Sequence, residues 1–349
     1  MKIAITADIH LTIKSNHPER YNALENILNQ IKQDGIENLI IAGDLFDKDY
    51  NNPKDFEALC RLFPGINLHI IPGNHDVAVS NKSIVGSNIL IYTAPTVVEI
   101  GQTSFLFIPY EEKTKMCDRI TIQDDHVQKD WVLIGHGDYY GGIKELNPLE
   151  PGTYMPLSKS TVSKFAPRAV FLGHIHKPTN ISNVYYTGSP CGLDISETGT
   201  RRFLVYDAED GSIASVPVVT DVLYFMESFV IVPLENETDI LKQEIAKRID
   251  SWEIPESEYS KIVVRCEAMG YTMDRGAVMT TLDEGFKDFR FYNNEGPLIE
   301  RLSMSSDRQL SAIAERTVKL IDEFQWESND NEPDKELIKL RALDVIYSR

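Results

Sequence analysis

The first two hundred residues alternate short apolar runs with longer amphipathic stretches. "KIAIT", "NLIIAG", "NLHIIPG", "FLFIP", "WVLIG" and "AVFLG" each end in glycine, proline or a polar residue. Unbroken apolar runs of this length suit strands covered on both faces. Between the first two, Leu24, Ile27, Leu28 and Ile31 follow helical spacing, with Pro18 suited to the first turn and Gly35 to the exit. Residues 53–63 repeat the idea, with Phe56, Leu59, Cys60 and Phe63 on one stripe. The pattern predicts an α/β domain with a mixed or largely parallel sheet.

After "RRFLVYDAEDG", residues 201–211, the character changes. A strand-like run ("SFVIVPL"), a helix ("ETDILKQEIAKRIDSW"), a second strand ("YSKIVVRCEA"), a helix around 275–289 and a last strand ("FRFYN") predict a small βαβαβ-like unit. It contains no histidine, so metal chemistry is not expected there. A third part begins near residue 298. Leu310, Ile313, Thr317, Leu320, Ile321 and Phe324 make a helical stripe, and the acidic stretch "DEFQWESNDNEPDKE" follows. A second helix then carries Ile338, Ala342, Val345 and Ile346 on one side. Two such helices suit either docking on their own domain or a clip for a partner. The expected domains are 1–218, 219–297 and 298–349.

The chain has 349 residues, a formal net charge of −18 and a sequence pI near 4.9. That charge lowers the expectation of nucleic-acid binding, whose usual footprint is a basic face. Divalent cations can nevertheless reverse the sign of the potential inside a cleft. Cys60, Cys117, Cys191 and Cys266 lie far apart with no CxxC spacing, which suggests reduced thiols and a cytoplasmic setting. The opening "MKIAITADIH" is too short and too quickly acidic for a signal peptide, and no apolar run has the length of a bilayer span.

The candidate chemistry sits at the strand ends. "ADIHL" gives Asp8 and His10, "AGDLFD" gives Asp44 and Asp47, and "PGNHD" gives Asn74, His75 and Asp76. "IGHG" gives His136, and "LGHIHKP" gives His174 and His176. Five of the eight histidines fall at these positions. Singly, each is also a common turn residue. Together they fit the rule that ligands of α/β sheets gather at the carboxyl ends of strands. Carboxylates, an amide oxygen and imidazoles suit manganese, iron or zinc. Asp44 could bridge two ions, and two ions about 3.5–4 Å apart clamp the attacking and departing oxygens of a phosphoryl displacement. His17, His69 and His126 lie outside the pattern, and His69, inside the third strand, reads as a core residue.

The order DxH, GDxxD, GNHD, GH, GHxH resembles the calcineurin-like metallophosphoesterase superfamily over residues 1 to about 210. "AGDLFD", "PGNHD", "LGHIHK" and "YYTGSPCGLDISETGTRRFLVYD" (185–207) resemble, within it, the SbcD-type nuclease subunits, counterparts of the Mre-eleven repair nuclease. The resemblance implies a layered β-sheet catalytic domain, a small α/β capping domain and a C-terminal helical tail. It implies two divalent ions, Mn²⁺ first among them. Asp8, His10, Asp44 and His176 would hold one, and Asp44, Asn74, His136 and His174 the other. His75 would contact the scissile phosphate or protonate the leaving oxygen, oriented by Asp76. The implied partners are DNA, an SbcC-like coiled-coil ATPase and a second copy of the chain. Two departures stand out: Thr12 replaces a usual glycine, and Asp47 stands where archaeal and eukaryal members have histidine, which puts a second-histidine role in doubt.

The expected function is therefore manganese-dependent cleavage of DNA in repair, recombination or replication. Lys14, Lys48, Lys82, Lys177, Arg201 and Arg202 fall in loops that could hold phosphates. A phosphatase or phosphodiesterase of another substrate keeps the chemistry, but "FDKD" and "GNHD" depart from the protein-phosphatase pattern. A non-catalytic scaffold would be expected to have lost ligands, and none is missing. The chain lacks a GxxxxGK[ST] stretch, so ATP dependence would require another chain.

Overall fold

The computed structural model describes residues 1–48, 52–80, 82–120, 131–140, 153–325 and 334–347. The chain divides into one unit of residues 1–193 with 200–221, and another of residues 194–199 with 222–349. His126 and most of the acidic stretch lie outside the described residues.

The first unit runs β1 (Lys2–Thr6), α1 (Pro18–Gln33), β2 (Asn38–Ala42), α2 (Lys54–Cys60), β3 (Asn67–Ile71) and β4 (Ile89–Ile91). It continues β5 (Thr96–Ile100), β6 (Thr103–Ile108), β7 (Trp131–His136), β8 (Tyr139–Tyr140), β9 (Leu157–Ser158) and α3 (Lys159–Phe165). It ends β10 (Ala169–Gly173), β11 (Thr179–Ile181), β12 (Val184–Tyr186), β13 (Arg202–Asp207) and β14 (Ile213–Pro217).

Where the apolar pattern suggested one sheet, there are two of six strands, ordered β14-β13-β1-β2-β3-β4 and β11-β12-β10-β7-β6-β5. Both are mixed: β1, β2, β3 and β4 pair in parallel while β13 joins β1 antiparallel. In the other sheet β6, β7, β10 and β12 pair in parallel, with β5 and β11 antiparallel at the edges. The sheets share one core, in which Ile3, Ile5 and Ile40 of the first pack with Phe105, Phe107, Ile134 and Phe171 of the second. The opposite face of the second sheet buries Leu106, Leu133 and Leu172 with Met116, Met155 and Val162. Two-sided burial explains the unbroken apolar runs, and it looks the same in sequence whichever sheet a strand joins. The α1 stripe of Leu24, Ile27, Leu28 and Ile31 is fully buried, as are Phe56, Leu59, Cys60 and Phe63 around α2.

The second unit holds β15 (Leu223–Ile231), α4 (Glu237–Ser251), β16 (Ile262–Thr272), α5 (Arg275–Gly285), β17 (Arg290–Phe291), β18 (Leu302–Met304), α6 (Arg308–Glu323) and α7 (Lys335–Tyr347). Its sheet is parallel, with β16 between β15 on one side and β17 and β18 on the other. The strand expected at "FRFYN" shrinks to two residues. β17 lies beside Val263 and Val264, while β18 takes up the same edge at Gly270–Thr272. Asp274 and Asp307 cap α5 and α6 by accepting backbone N–H bonds at the first turn.

The two last helices behave differently. α7 buries Leu340 and Leu343, and Tyr347 stacks on Tyr271 of β16 with ring centroids 4.2 Å apart. The face expected from Ile338, Ala342, Val345 and Ile346 is thus shifted, and Val345 is 77% exposed. α6 turns Ser311 and Ala314 inward and leaves Ile313, Leu320 and Phe324 exposed. Among the described residues, no helix is long and apolar enough to cross a membrane.

Candidate metal centre

Five strands of the first unit deliver the chemistry, all at their carboxyl ends. Asp8 and His10 follow β1, Asp44 follows β2, Asn74 and His75 follow β3, His136 ends β7, and His174 and His176 follow β10. The first three strands belong to one sheet and the last two to the other, so the cluster lies where both sheets end. Asp8, His10 and His176 offer ligand atoms within 4.8 Å of one another; so do His10, Asp44 and His75, and so do Asp8, Asp44 and His136.

The backbone is bent to make this possible. Asp8, His10, Asp44 and His174 have φ of 54°, 50°, 50° and 96°, the left-handed region that non-glycine residues avoid. Such strain costs on the order of 1–3 kcal/mol per residue and gathers at functional sites. The loops hold each other by backbone bonds: Asp8 N–H donates to the Gly43 carbonyl at 3.1 Å and His10 N–H to the Asp44 carbonyl at 3.0 Å. Gly43, at φ +93°, is needed twice over, because a Cβ there would run into the His136 imidazole.

Asp44 lies in the middle. Its Oδ1 accepts the His75 N–H at 2.9 Å, and its Oδ2 is 3.3 Å from His136 Nε2 and 3.7 Å from His10 Nε2. His136 Nδ1 donates to the Ala42 carbonyl at 3.0 Å, which turns Nε2 inward to Asn74 Oδ1 at 2.8 Å. Asn74 Oδ1 is also 3.2 Å from His174 Nδ1. His10 and His176 face each other, Nε2 to Nε2, at 3.2 Å. Every residue singled out as a metal ligand thus reaches this one cluster.

The field in the cluster favours positive charge. Burial works against ionising Asp44, yet the His136 charge outweighs it and holds the carboxyl below its usual range. Burial likewise pushes the His136 imidazole down, but Asp44 and Asp8 overcome this and bring it up to about 9. A ring must be neutral to ligate, so uptake of a cation would release that proton. Burial raises the Asp8 carboxyl. Its Oδ1 accepts the His174 N–H at 2.8 Å, while Oδ2 is buried with no hydrogen-bond partner among the described residues. A buried, unmatched carboxylate oxygen within reach of imidazoles is what a divalent cation would satisfy. Oxygen and imidazole donors fit such an ion.

His75 and Asp76 differ in their surroundings. His75 Nδ1 lies 3.2 Å from Asp47 Oδ1. Asp76 instead accepts the Gly73 N–H at 2.7 Å and the Phe46 N–H at 3.1 Å, tying the second loop to the third. Burial and then the Asp44 charge push its carboxyl up to about 7. Among the described residues, the carboxylate hydrogen-bonded to the His75 ring is Asp47, while Asp76, the neighbour that the sequence had suggested, binds backbone N–H groups. Partial burial raises the Asp47 carboxyl, but the neighbouring His10 and His75 imidazoles outweigh it and hold the group well below the usual carboxylate range.

Sequence reasoning missed further neighbours. Asp138, in "GHGD", accepts the Tyr154 N–H at 2.7 Å and lies 3.7 Å from His174 Nε2. The Tyr154 ring lies 4.5 Å from that of His174. The carboxylate two residues past His136 was a readable signal; Tyr154 had none. Arg201, expected in a rim loop, is only 2% exposed and donates to the Ser189 carbonyl.

Residues 1–178 match the profile of the calcineurin-like phosphoesterases, and the chain belongs to that family. It is a metallophosphoesterase with a candidate His/Asp centre for divalent metal. It is similar to the SbcD subunit of the SbcCD nuclease of Staphylococcus saprophyticus, 26% identical over 239 residues, which is 57% of this chain and 63% of that relative's length. It is similar to exonuclease subunit 1 of Enterobacteria phage T4, 26% identical over 248 residues, covering 62% of this chain and 68% of the relative. A solved structure, TT1561 of Thermus thermophilus, aligns with 62% of this chain and 99% of its own at 12% identity, with a TM-score of 0.39.

Proposed function

We propose that this chain is the nuclease subunit of a two-component DNA-processing machine and cleaves phosphodiester bonds with two manganese ions. The observation that carries the reading is the convergence of Asp8, His10, Asp44, Asn74, His136, His174 and His176 around Asp44, with His75 beside them. Asp8, His10, Asp44 and His176 would hold one ion, and Asp44, Asn74, His136 and His174 the other. Bound, such ions supply Lewis acidity and positive charge at the phosphate and lower the pKa of water.

The protein's own groups do the rest. Asp47 orients the His75 ring through Nδ1, and the ring would meet the phosphate or hand a proton to the leaving oxygen. Asp76 keeps the turn that carries His75 in place through two backbone bonds. Asn74 sets the orientation of both His136 and His174. The choice of DNA rests on the 26% likeness to the two nuclease subunits. An ATPase partner rests on the same likeness and on the exposed α6 stripe of Ile313, Leu320 and Phe324, which suits a helix-in-groove contact. The domains 1–218, 219–297 and 298–349 would then serve as catalytic, capping and partner-binding parts, in a chain that also pairs with its own copy.

The test uses chelator-stripped protein with circular single-stranded DNA and, separately, a p-nitrophenyl phosphodiester. Manganese should restore DNA cleavage, and magnesium should restore less, because it prefers oxygen donors and sheds water reluctantly. Cleavage of the small ester without DNA cleavage would replace the nuclease reading by a phosphodiesterase of another substrate. Full activity in chelator would overturn the two-metal mechanism.

A further inference from the structure

His10 and His176 are held from behind in the same way. The His10 carbonyl accepts a bond from Arg20 Nη1 at 2.5 Å, and the His176 carbonyl accepts one from Arg201 Nη2. Both arginines are buried, at 8% and 2% exposure. Neither comes from a strand that carries a ligand: Arg20 lies in the first turns of α1, and Arg201 immediately precedes β13. Burying two guanidinium groups is costly unless their donors are matched. Arg20 meets Asp47 Oδ2 at 3.3 Å through Nη1 while its buried Nε is unmatched among the described residues, and Arg201 donates to the Ser189 carbonyl at 2.9 Å and the Ser189 hydroxyl at 2.6 Å. His10 sits at φ +50°, a conformation that persists only where its surroundings over-determine it.

We propose that Arg20 and Arg201 are positioning residues for the cation site of Asp8, His10 and His176. Each pins one histidine by its backbone carbonyl, and together they set the separation of the two facing imidazole nitrogens. The inference rests on the metal reading above and adds to it a division of labour. The arginines govern the cation position on the His10–His176 side, while His136 on the other side is set by the Ala42 carbonyl and Asn74. Arginine suits the task because its planar fork keeps several donors in a fixed geometry. At position 201, Nε and Nη2 serve three acceptors at once, which a lysine cannot reproduce. At position 20 one nitrogen serves both acceptors, so a lysine ammonium can partly stand in.

The experiment titrates Mn²⁺ into the full-length, metal-stripped chain by calorimetry, with free Mn²⁺ counted by electron paramagnetic resonance. The wild type and Arg20→Met, Arg20→Lys, Arg201→Met and Arg201→Lys are compared, and unfolding of each stripped protein is recorded. The methionine variants should weaken one of two Mn²⁺ sites by about 10- to 100-fold, the usual effect of removing a group behind a ligand. The other site should stay within about twofold of wild type by the same reasoning. Arg20→Lys should recover part of the affinity and Arg201→Lys little. Equal weakening of both sites, or no change in either, would overturn the proposal. If a methionine variant does not fold, its lysine counterpart is read by the same criterion. A wild-type chain that binds fewer than two Mn²⁺ would overturn the metal reading itself.

Discussion

The Nδ1 atom of His75 lies 3.2 Å from Oδ1 of Asp47, and the other oxygen of that carboxylate lies 3.3 Å from Arg20. The carboxylate thus joins a buried guanidinium to a ring that is partly open to solvent. A carboxylate at Nδ1 favours the tautomer that carries its proton on that nitrogen.

Asp47→Asn keeps the shape of the side chain but loses its charge. DNA cleavage at saturating manganese should fall about 100-fold, the lower range for general acid–base help. The number of bound Mn²⁺ ions should not change. Because Asp47 is held below the usual carboxylate range, its titration should be absent from the neutral part of the wild-type pH–rate profile. An unchanged rate in the variant would remove Asp47 from the mechanism.

His174→Ala and His75→Ala separate ligand from catalyst. The first should lose affinity for one Mn²⁺, and added manganese should recover part of its activity. The second should retain both ions and still lose about 100- to 10,000-fold in rate, without recovery. Metal counting on both variants decides; loss of an ion from His75→Ala would show that this ring is a ligand.

Gly43→Ala and Gly35→Ala share a positive φ, at +93° and +67°, but differ in surroundings. A Cβ at Gly35 meets nothing within 4 Å, whereas one at Gly43 collides with His136. Gly35→Ala should cost only the left-handed strain, about 1–2 kcal/mol. Gly43→Ala should cost more and should also weaken Mn²⁺ binding. Thermal unfolding with metal titration checks both, and equal effects would mean that His136 yields freely.

His69 provides a pH test away from the metal centre. Its ring bonds the Tyr92 hydroxyl at 2.8 Å and Asn38 at 3.1 Å, and burial lowers it from 6.5 to about 4. In the unfolded chain His69 takes up a proton as pH falls through about 6.5, while the folded chain resists until about 4. Its stabilising contribution is complete above the first value and drains away on the path to the second. The change amounts to about 3 kcal/mol, at 1.36 kcal/mol per pKa unit. In His69→Gln, stability measured by urea unfolding should vary less with pH across that window. An identical slope would assign the acid sensitivity to other groups.

The strand ends were legible because Asp, Asn and His stand directly after apolar runs, and the topology gathers such positions. Pairings within the cluster were not. Asp76 adjoins His75 in sequence, but neighbouring side chains diverge, and Asp47 reaches the ring from another loop. Arg201 looked like a rim cation because its depth depends on Ser189 and His176, which sequence distance hides. The division into two sheets was hidden for the reason that made the strands obvious: both faces of each are covered. On α6 the periodicity was visible, yet only part of the stripe is covered: Leu310, Thr317 and Ile321 are half-buried, while Ile313, Leu320 and Phe324 stay exposed.

The placement of the cluster also dictates a time order for biosynthesis. Asp8 meets the His174 backbone across 166 positions of chain, and His10 meets His176 across the same interval. β1 has its second neighbour only when Arg202–Asp207 arrive to pair with it. During vectorial synthesis the N-terminal strand therefore emerges long before the partners that complete its pocket. The nascent chain cannot assemble the proposed cation pair until the last strand ends have left the ribosome. A translation product that stops before His176 therefore lacks part of the ligand set and cannot complete the centre.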